Sequence, residues 1–133
     1  MRLTIQNDVT EISSLHESVL DFCEKHHLNE DIVFALDLCI EELITNIIKY
    51  AYSVRAKHTI QVDLDLLEGQ LILEIRDEGR PFDPTKIPEP DLNVPLEERT
   101  IGGLGIHLVR NYVNSMHYRR EGNQNITTLK KDI

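Results

Sequence analysis

Three short motifs, in a fixed order and at fixed spacing, constrain the fold of this chain most. They are Glu-Glu-Leu-Ile-Thr-Asn at residues 41–46, Asp-Glu-Gly-Arg-Pro-Phe-Asp at residues 77–83 and Gly-Gly-Leu-Gly at residues 102–105. The first falls in a helical pattern, the second at the end of a predicted strand and the third just before another helical pattern. Helical polar groups, a carboxylate at a strand end and glycines at a helix start together supply what a nucleotide site requires. Any one motif is weak support, but the three in this order predict a nucleotide-binding domain.

Length and charge exclude several classes of protein. A chain of 133 residues is most simply one domain, residues 1–133, around a single core. Its formal charge of −9, with 14 scattered Lys and Arg residues, argues against nucleic-acid binding. No apolar stretch is long enough for a membrane span or a signal peptide, so we expect a cytoplasmic protein that contacts no membrane. Cys23 and Cys39 are too few and too isolated for a zinc site or a disulfide framework, and we expect buried thiols.

Hydrophobic periodicity predicts helices and strands along most of the chain. Strands are expected at residues 1–6, 59–68 and 70–77 and on both sides of a turn at residues 121–123, and helices at residues 11–26, 30 to about 52, and 105–116. This order predicts an α+β fold, a two-layer α/β sandwich in which one mixed sheet carries helices on one face. Residues 78–101 hold all five prolines and no apolar period, which is typical of a functional lid or of disorder.

The second helix carries a carboxylate and an amide at the edge of its core face. Glu42 and Asn46 are four residues apart and stack beside the apolar stripe, whereas Glu41 points towards solvent. Such a pair can share a hydrated magnesium ion, because Mg²⁺ prefers oxygen ligands and keeps most of its waters. For this pair alone, ordinary boundary residues are the more common explanation, and the other motifs are what favour a site. The stripe itself consists of Leu36, Ile40, Leu43 and Ile47.

Asp77 ends the inward face of its predicted strand. The period of two places it in line with Leu71, Leu73 and Ile75. A carboxylate there loses solvation and requires a donor, and an adenine amino group is a suitable one. Gly79 would let the backbone turn and approach a ring closely. A plain turn after a strand is the alternative, and the inward register argues against it.

The glycines at residues 102–105 precede the third helix. The unpaired amides and the positive dipole end of a helix start can hold phosphate oxygens. No Lys-Ser/Thr follows, so this is not a Walker loop, and no strand or third spaced glycine supports a dinucleotide fingerprint. A flexible hinge is the alternative explanation of these glycines.

In this order the motifs resemble the N box and the two glycine boxes of the Bergerat-fold (GHKL) ATP-binding superfamily. The chain is most similar to the small anti-sigma-factor serine kinases of that superfamily, from the second helix to the last strand. The resemblance implies a mixed sheet of four or five strands backed by three helices, with ATP held between the second helix and a lid at about residues 78–104.

The resemblance also implies roles for individual residues. By matching position, Glu42 is the general base that activates an acceptor serine, and Asn46 is the Mg²⁺ ligand. Asp77 accepts the adenine amino group, with Gly79 as its backbone neighbour, and Thr127 lies beside adenine. The implied phosphate loop consists of Gly102, Gly103, Leu104 and Gly105.

Two positions depart from the pattern of many relatives. Pro81 stands where a second glycine is common, and Tyr50 where a histidine often follows the asparagine. Neither position belongs to the implied metal ligand or base.

The resemblance implies an Mg²⁺- and ATP-dependent protein serine kinase and anti-sigma factor of a partner-switching pathway. It would bind ATP or ADP, phosphorylate a serine of a small STAS-type antagonist protein and alternately sequester a sigma factor, and relatives often form homodimers. The alternative is a non-catalytic regulator that holds a protein partner under nucleotide control. A sensor histidine kinase is disfavoured, because His16-Glu17 only superficially resembles a phospho-acceptor box and a single helix precedes the N box.

Overall fold

A five-stranded sheet and three α-helices make up this computed structural model, which describes residues 1–51, 57–86 and 103–133. A π-helical turn, Ile47–Ala51, continues α2, and a short 3₁₀ turn, Pro84–Lys86, follows β3. Among the described helices, none combines the length and the hydrophobicity that crossing a bilayer requires. The strands are β1 (Arg2–Gln6), β2 (Thr59–Leu67), β3 (Gln70–Asp77), β4 (Ser115–Glu121) and β5 (Gln124–Asp132), and the helices are α1 (Glu11–Lys25), α2 (Glu30–Asn46) and α3 (Gly103–Tyr112).

The sheet has the strand order β1-β2-β3-β5-β4, and each neighbouring pair is antiparallel. The α+β two-layer architecture is confirmed, but the sheet is antiparallel where a mixed one was expected. The hairpins β2–β3 and β4–β5 pair antiparallel by construction, and the two longer connections also bring β1 to β2 and β3 to β5 in antiparallel pairing. The first hairpin turns at Glu68 and Gly69, whose φ angles of +51° and +75° match the left-handed turns that suit a hairpin.

The core lies between the helices and one face of the sheet. Alternate residues of β2 and β3 point into it, as their period of two predicted. Both cysteines are buried free thiols, as expected, and burial raises the pKa of Cys39 to about 12. The fully buried side chains include Leu15, Val19, Ile44, Ile60, Val62, Leu64, Leu71, Ile75, Ile106 and Val109.

Helix α2 starts where the sequence predicted, whereas helix α3 ends earlier than expected. Asn29 caps α2 by accepting a hydrogen bond from the Ile32 amide at 3.0 Å, as its sequence position predicted. The expected end of this helix, near residue 52, lies outside the described residues. Helix α3 ends at Tyr112, four residues early, because Met116 pairs with Leu129 in the sheet although it continues the helical apolar period.

Candidate functional site

A cavity between the C-terminal part of α2, the end of β3 and β5 gathers residues that are far apart in the chain. Asn46, Asp77 and Thr127 contribute its polar groups. A cavity that is mainly apolar and carries a few polar groups is typical of a small-molecule binding site. Three residues singled out from the sequence therefore lie together. The apolar lining consists of Leu43, Ile47, Ile75, Phe82 and Pro84.

Asp77 is a buried carboxylate in which one oxygen accepts hydrogen bonds from the protein and the other accepts none from the described residues. Its Oδ1 accepts hydrogen bonds from the Gly79 amide at 2.9 Å and from Asn125 Nδ2 at 3.0 Å. Its Oδ2 accepts none from any residue that the structure describes. Burial raises the pKa of Asp77, although Asn125, Gly79 and Arg120 favour the charged form. The free oxygen is thus an acceptor at the edge of an apolar cavity.

Asn46 and Thr127 are two more buried polar groups of the cavity, exposed by only 7% and 9%. Within residues 1–51, 57–86 and 103–133, neither side chain makes a hydrogen bond. No enclosed side-chain nitrogen or oxygen of the described residues lacks a hydrogen-bond partner, so the polar atoms of Asn46 and Thr127 open into the cavity, where a ligand can reach them.

Gly79 allows the chain after β3 to pack directly on the end of the helical segment. A Cβ at this position would lie 2.5 Å from Ala51 Cβ and 2.6 Å from the Ala51 carbonyl oxygen. The next residue, Arg80, donates its amide to that carbonyl at 2.8 Å and its Nε to the Tyr50 carbonyl at 2.6 Å. The lack of a side chain at Gly79 therefore lets the second motif pack against Ala51, the last residue of the π-helical turn that continues α2.

Gly79→Ala is expected to destabilise the fold by about 1–3 kcal/mol, because the added methyl group meets backbone that cannot move aside. Chemical unfolding of the variant measures this loss. Gly122→Ala is the matched control: its φ is +58° but nothing lies within 4 Å, so only backbone strain of about 1 kcal/mol applies. Equal stability of Gly79→Ala and the wild type would contradict the close packing.

Glu42 and Gly105 bring the first and third motifs into contact. A Cβ at Gly105 would overlap Glu42 Oε2 and lie 2.6 Å from its Cδ, so the carboxylate packs directly on the glycine. Gly105 is in the first turn of α3, where the helix amides are unpaired and the dipole is positive. Glu42 thus lies at the start of α3, one helical turn from Asn46.

The remaining residues of the predicted phosphate loop and lid are described only in part. Gly103 begins α3 and Leu104 is its second residue. Gly102 and the part of the expected lid from residue 87 to residue 102 lie outside the described residues. The lid prediction for residues 78–104 can be followed only at its two ends.

Asn125 is a site residue that the sequence reasoning missed. It is 3% exposed, and its Nδ2 bonds Asp77 and, at 2.8 Å, the Arg80 carbonyl. Its Oδ1 accepts from Tyr118 Oη at 2.5 Å and from an Arg120 guanidinium nitrogen at 3.0 Å. The signal was present, because the strand face that holds Thr127 and Leu129 also holds Asn125, two residues earlier.

Two comparisons of the sequence agree on a family. Residues 5–131 match the family model described as the histidine kinase-like ATPase domain. The serine/threonine-protein kinase BtrW of Bordetella bronchiseptica is 31% identical over 96 residues, which cover 72% of this chain and 68% of BtrW.

Solved structures share the fold at low sequence identity. The RsbU and RsbW domains of a Mycobacterium tuberculosis protein align with a TM-score of 0.66 and 10% identity, covering 99% of this chain and 32% of that one. The histidine kinase domain of a blue-light activated histidine kinase from Erythrobacter litoralis gives 0.54 and 19%, covering 77% and 45%. The histidine kinase AdeS of Acinetobacter baumannii gives 0.52 and 17%, covering 98% and 67%. This chain spans less than half of the first two structures, and such identities show the fold alone.

Proposed function

The chain belongs to the histidine kinase-like ATPase domain family, and from this membership we propose that it is a protein serine kinase that uses ATP and Mg²⁺. The observation that carries the proposal is the free oxygen of buried Asp77 in a cavity that the side chains of Asn46 and Thr127 also line. The kinase activity in the name of BtrW supports the choice of protein phosphorylation over other uses of ATP.

Asp77 and its neighbours would hold the adenine ring. Its free oxygen accepts a hydrogen from the amino group, and the apolar lining packs on the ring faces. Thr127 lies in the same cavity and can donate to a ring nitrogen. Gly79 keeps the backbone close to this edge of the cavity.

Asn46 fits the role of magnesium ligand. Its carboxamide lines the cavity and makes no hydrogen bond within the described part of the chain, and its oxygen is a suitable ligand for a hard cation. When bound there, Mg²⁺ neutralises phosphate charge. The amides of Gly103, Leu104 and Gly105 at the start of α3 would bind phosphate oxygens, and Gly102 would be the first residue of this loop.

Glu42 would act as the general base. It accepts the proton of the serine hydroxyl as the serine oxygen bonds to the γ-phosphorus and the bond to the β-phosphate oxygen breaks, releasing ADP. Its contact with Gly105 supports this role, since that glycine belongs to the turn proposed to bind phosphate. A general base at this position would lie close to the serine oxygen and the γ-phosphorus, between which the new bond forms.

The proposed substrate is a serine of a small STAS-type antagonist protein, with a sigma factor as the alternate partner. We further propose that residues 1–133 act as one ATP-binding domain with a lid at about residues 78–104, that the protein works in the cytoplasm, and that it forms a homodimer. The charge of −9 fits a protein partner with a basic surface.

The test is transfer of labelled γ-phosphate from ATP to purified STAS-type proteins encoded in the same genome. We expect magnesium-dependent labelling of one serine, and no labelling when that serine is replaced by alanine. ATP binding without transfer, together with stoichiometric capture of the same protein, would instead identify a non-catalytic regulator controlled by nucleotide.

A further inference from the structure

The Asn125 carboxamide lies at the centre of a row of side chains that crosses three strands. In the sheet register it stands directly opposite Asp77 on β3 and Arg120 on β4. Its amide nitrogen donates to Asp77 and its oxygen accepts from Tyr118 and Arg120. Reversing the carboxamide would turn its NH₂ group towards the Arg120 guanidinium and the Phe82 amide, which can only donate, so these bonds fix its orientation.

This orientation saturates one oxygen of Asp77. A carboxylate oxygen has two lone pairs, and those of Oδ1 are taken by Asn125 Nδ2 and the Gly79 amide. Only Oδ2 can accept a hydrogen from a ligand. Asp77 therefore offers a nucleobase one acceptor oxygen, whereas an isolated carboxylate would offer two adjacent acceptor oxygens.

Adenine and guanine place different demands on such a group. Adenine presents an amino donor beside a ring nitrogen, so one carboxylate oxygen and a donor such as the Thr127 hydroxyl satisfy it. Guanine presents two adjacent donors, a ring N–H and an amino group, which pair with both oxygens of a free carboxylate. With Oδ1 saturated, guanine would leave a donor unpaired in a buried site, and such an unpaired group costs much affinity.

We infer that Asn125 is the residue that makes the site select adenine over guanine nucleotides, by occupying the second acceptor of Asp77. The inference rests on the proposed nucleotide site and does not depend on kinase activity. Asn125 acts through Asp77 and is a positioning residue.

The test compares ADP and GDP affinities, by calorimetry, of the wild type, Asn125→Val and Asn125→Thr. Valine and threonine have nearly the same shape and both suit a strand, but only threonine keeps a donor for Asp77. We expect the wild type to prefer ADP, Asn125→Val to lower the ratio of the two affinities roughly tenfold, and Asn125→Thr to retain more of it. Asn123→Ala, in the exposed turn two residues earlier, is the control and should keep the wild-type ratio.

The outcomes separate this inference from the proposed function. A wild type that binds neither nucleotide overturns both. A wild type that binds ADP and GDP equally, or an unchanged ratio in Asn125→Val, overturns only the role of Asn125. Thermal unfolding confirms that each variant is folded. If Asn125→Val does not fold, Tyr118→Phe removes one donor to Asn125 from a half-buried position and should lower the ratio roughly threefold, and an unchanged ratio there is contrary to the inference.

Discussion

Asp77→Asn is expected to lower ADP affinity roughly 100-fold while leaving the nucleotide-free fold at least as stable as the wild type at neutral pH. The substitution is nearly isosteric and keeps an oxygen for the bonds from Gly79 and Asn125. Those two donors orient the new amide, so its NH₂ group takes the place of the free Asp77 oxygen. A donor then faces the donor of the adenine amino group, and both remain unpaired.

The expected stability follows from the direction of the pKa shift. Burial raises the pKa of Asp77 above its usual 3.8, so the folded protein keeps this proton at pH values where the unfolded chain has lost it. The stability that the group contributes is present below pH 3.8 and is lost as the pH rises through the higher folded-state pKa. Asparagine does not ionise, so the variant does not lose this stability. Between pH 3.8 and the folded-state pKa of Asp77, the melting temperature of the variant minus that of the wild type should therefore increase with pH, and above that pKa the difference should stay constant.

Calorimetric titration with ADP and thermal unfolding between pH 4 and pH 8 measure the two effects. Asp65→Asn is the control, since Asp65 is also on a strand but its side chain is 65% exposed. The control should leave nucleotide affinity unchanged, because Asp65 is exposed and pairs with the N-terminal amino group, away from the cavity. Wild-type ADP affinity in Asp77→Asn would remove Asp77 from the adenine site, and a lower melting temperature at pH 7 would show that its charge stabilises the fold.

Local pattern was sufficient to predict the elements that position the site. The alternation of β3 correctly put Asp77 on the buried face, and the four-residue spacing put Glu42 and Asn46 on one side of α2. Strand alternation and helix period are properties of adjacent residues, so they can be read without knowledge of the tertiary fold. The bounds of β3 were also predicted, because the turn residue Gly69 precedes the strand and the second motif begins at its last residue.

Tertiary pairing determined what the sequence did not reveal. The contact between Glu42 and Gly105 joins residues of two helices, and the bond between Asn125 and Asp77 depends on the register of β3 with β5. Neither register nor helix packing is encoded in a local period. Met116 shows the competition directly, since its helical spacing predicted α3 but its pairing with Leu129 placed it in β4.

Glu42→Gln is expected to reduce serine phosphorylation by 10²- to 10⁴-fold, on the order of what general bases contribute, while ADP affinity changes by less than about threefold. Glutamine has nearly the same size as glutamate, so its packing on Gly105 should persist. It cannot accept the serine proton at neutral pH. The loss should therefore fall on the transfer step alone, which single-turnover transfer from labelled ATP to the partner measures.

Glu41→Gln is the matched control, because it removes the same charge from the neighbouring exposed position and should leave transfer unchanged. Gly105→Ala tests the geometry independently. Its methyl group would overlap the Glu42 carboxylate and force it to move, so transfer should fall although Glu42 is still present. If both Glu42→Gln and Gly105→Ala retain full transfer, Glu42 is not the base and its contact with α3 serves packing. If both lose transfer and still bind ADP, the chemistry requires this carboxylate at this place on the glycine.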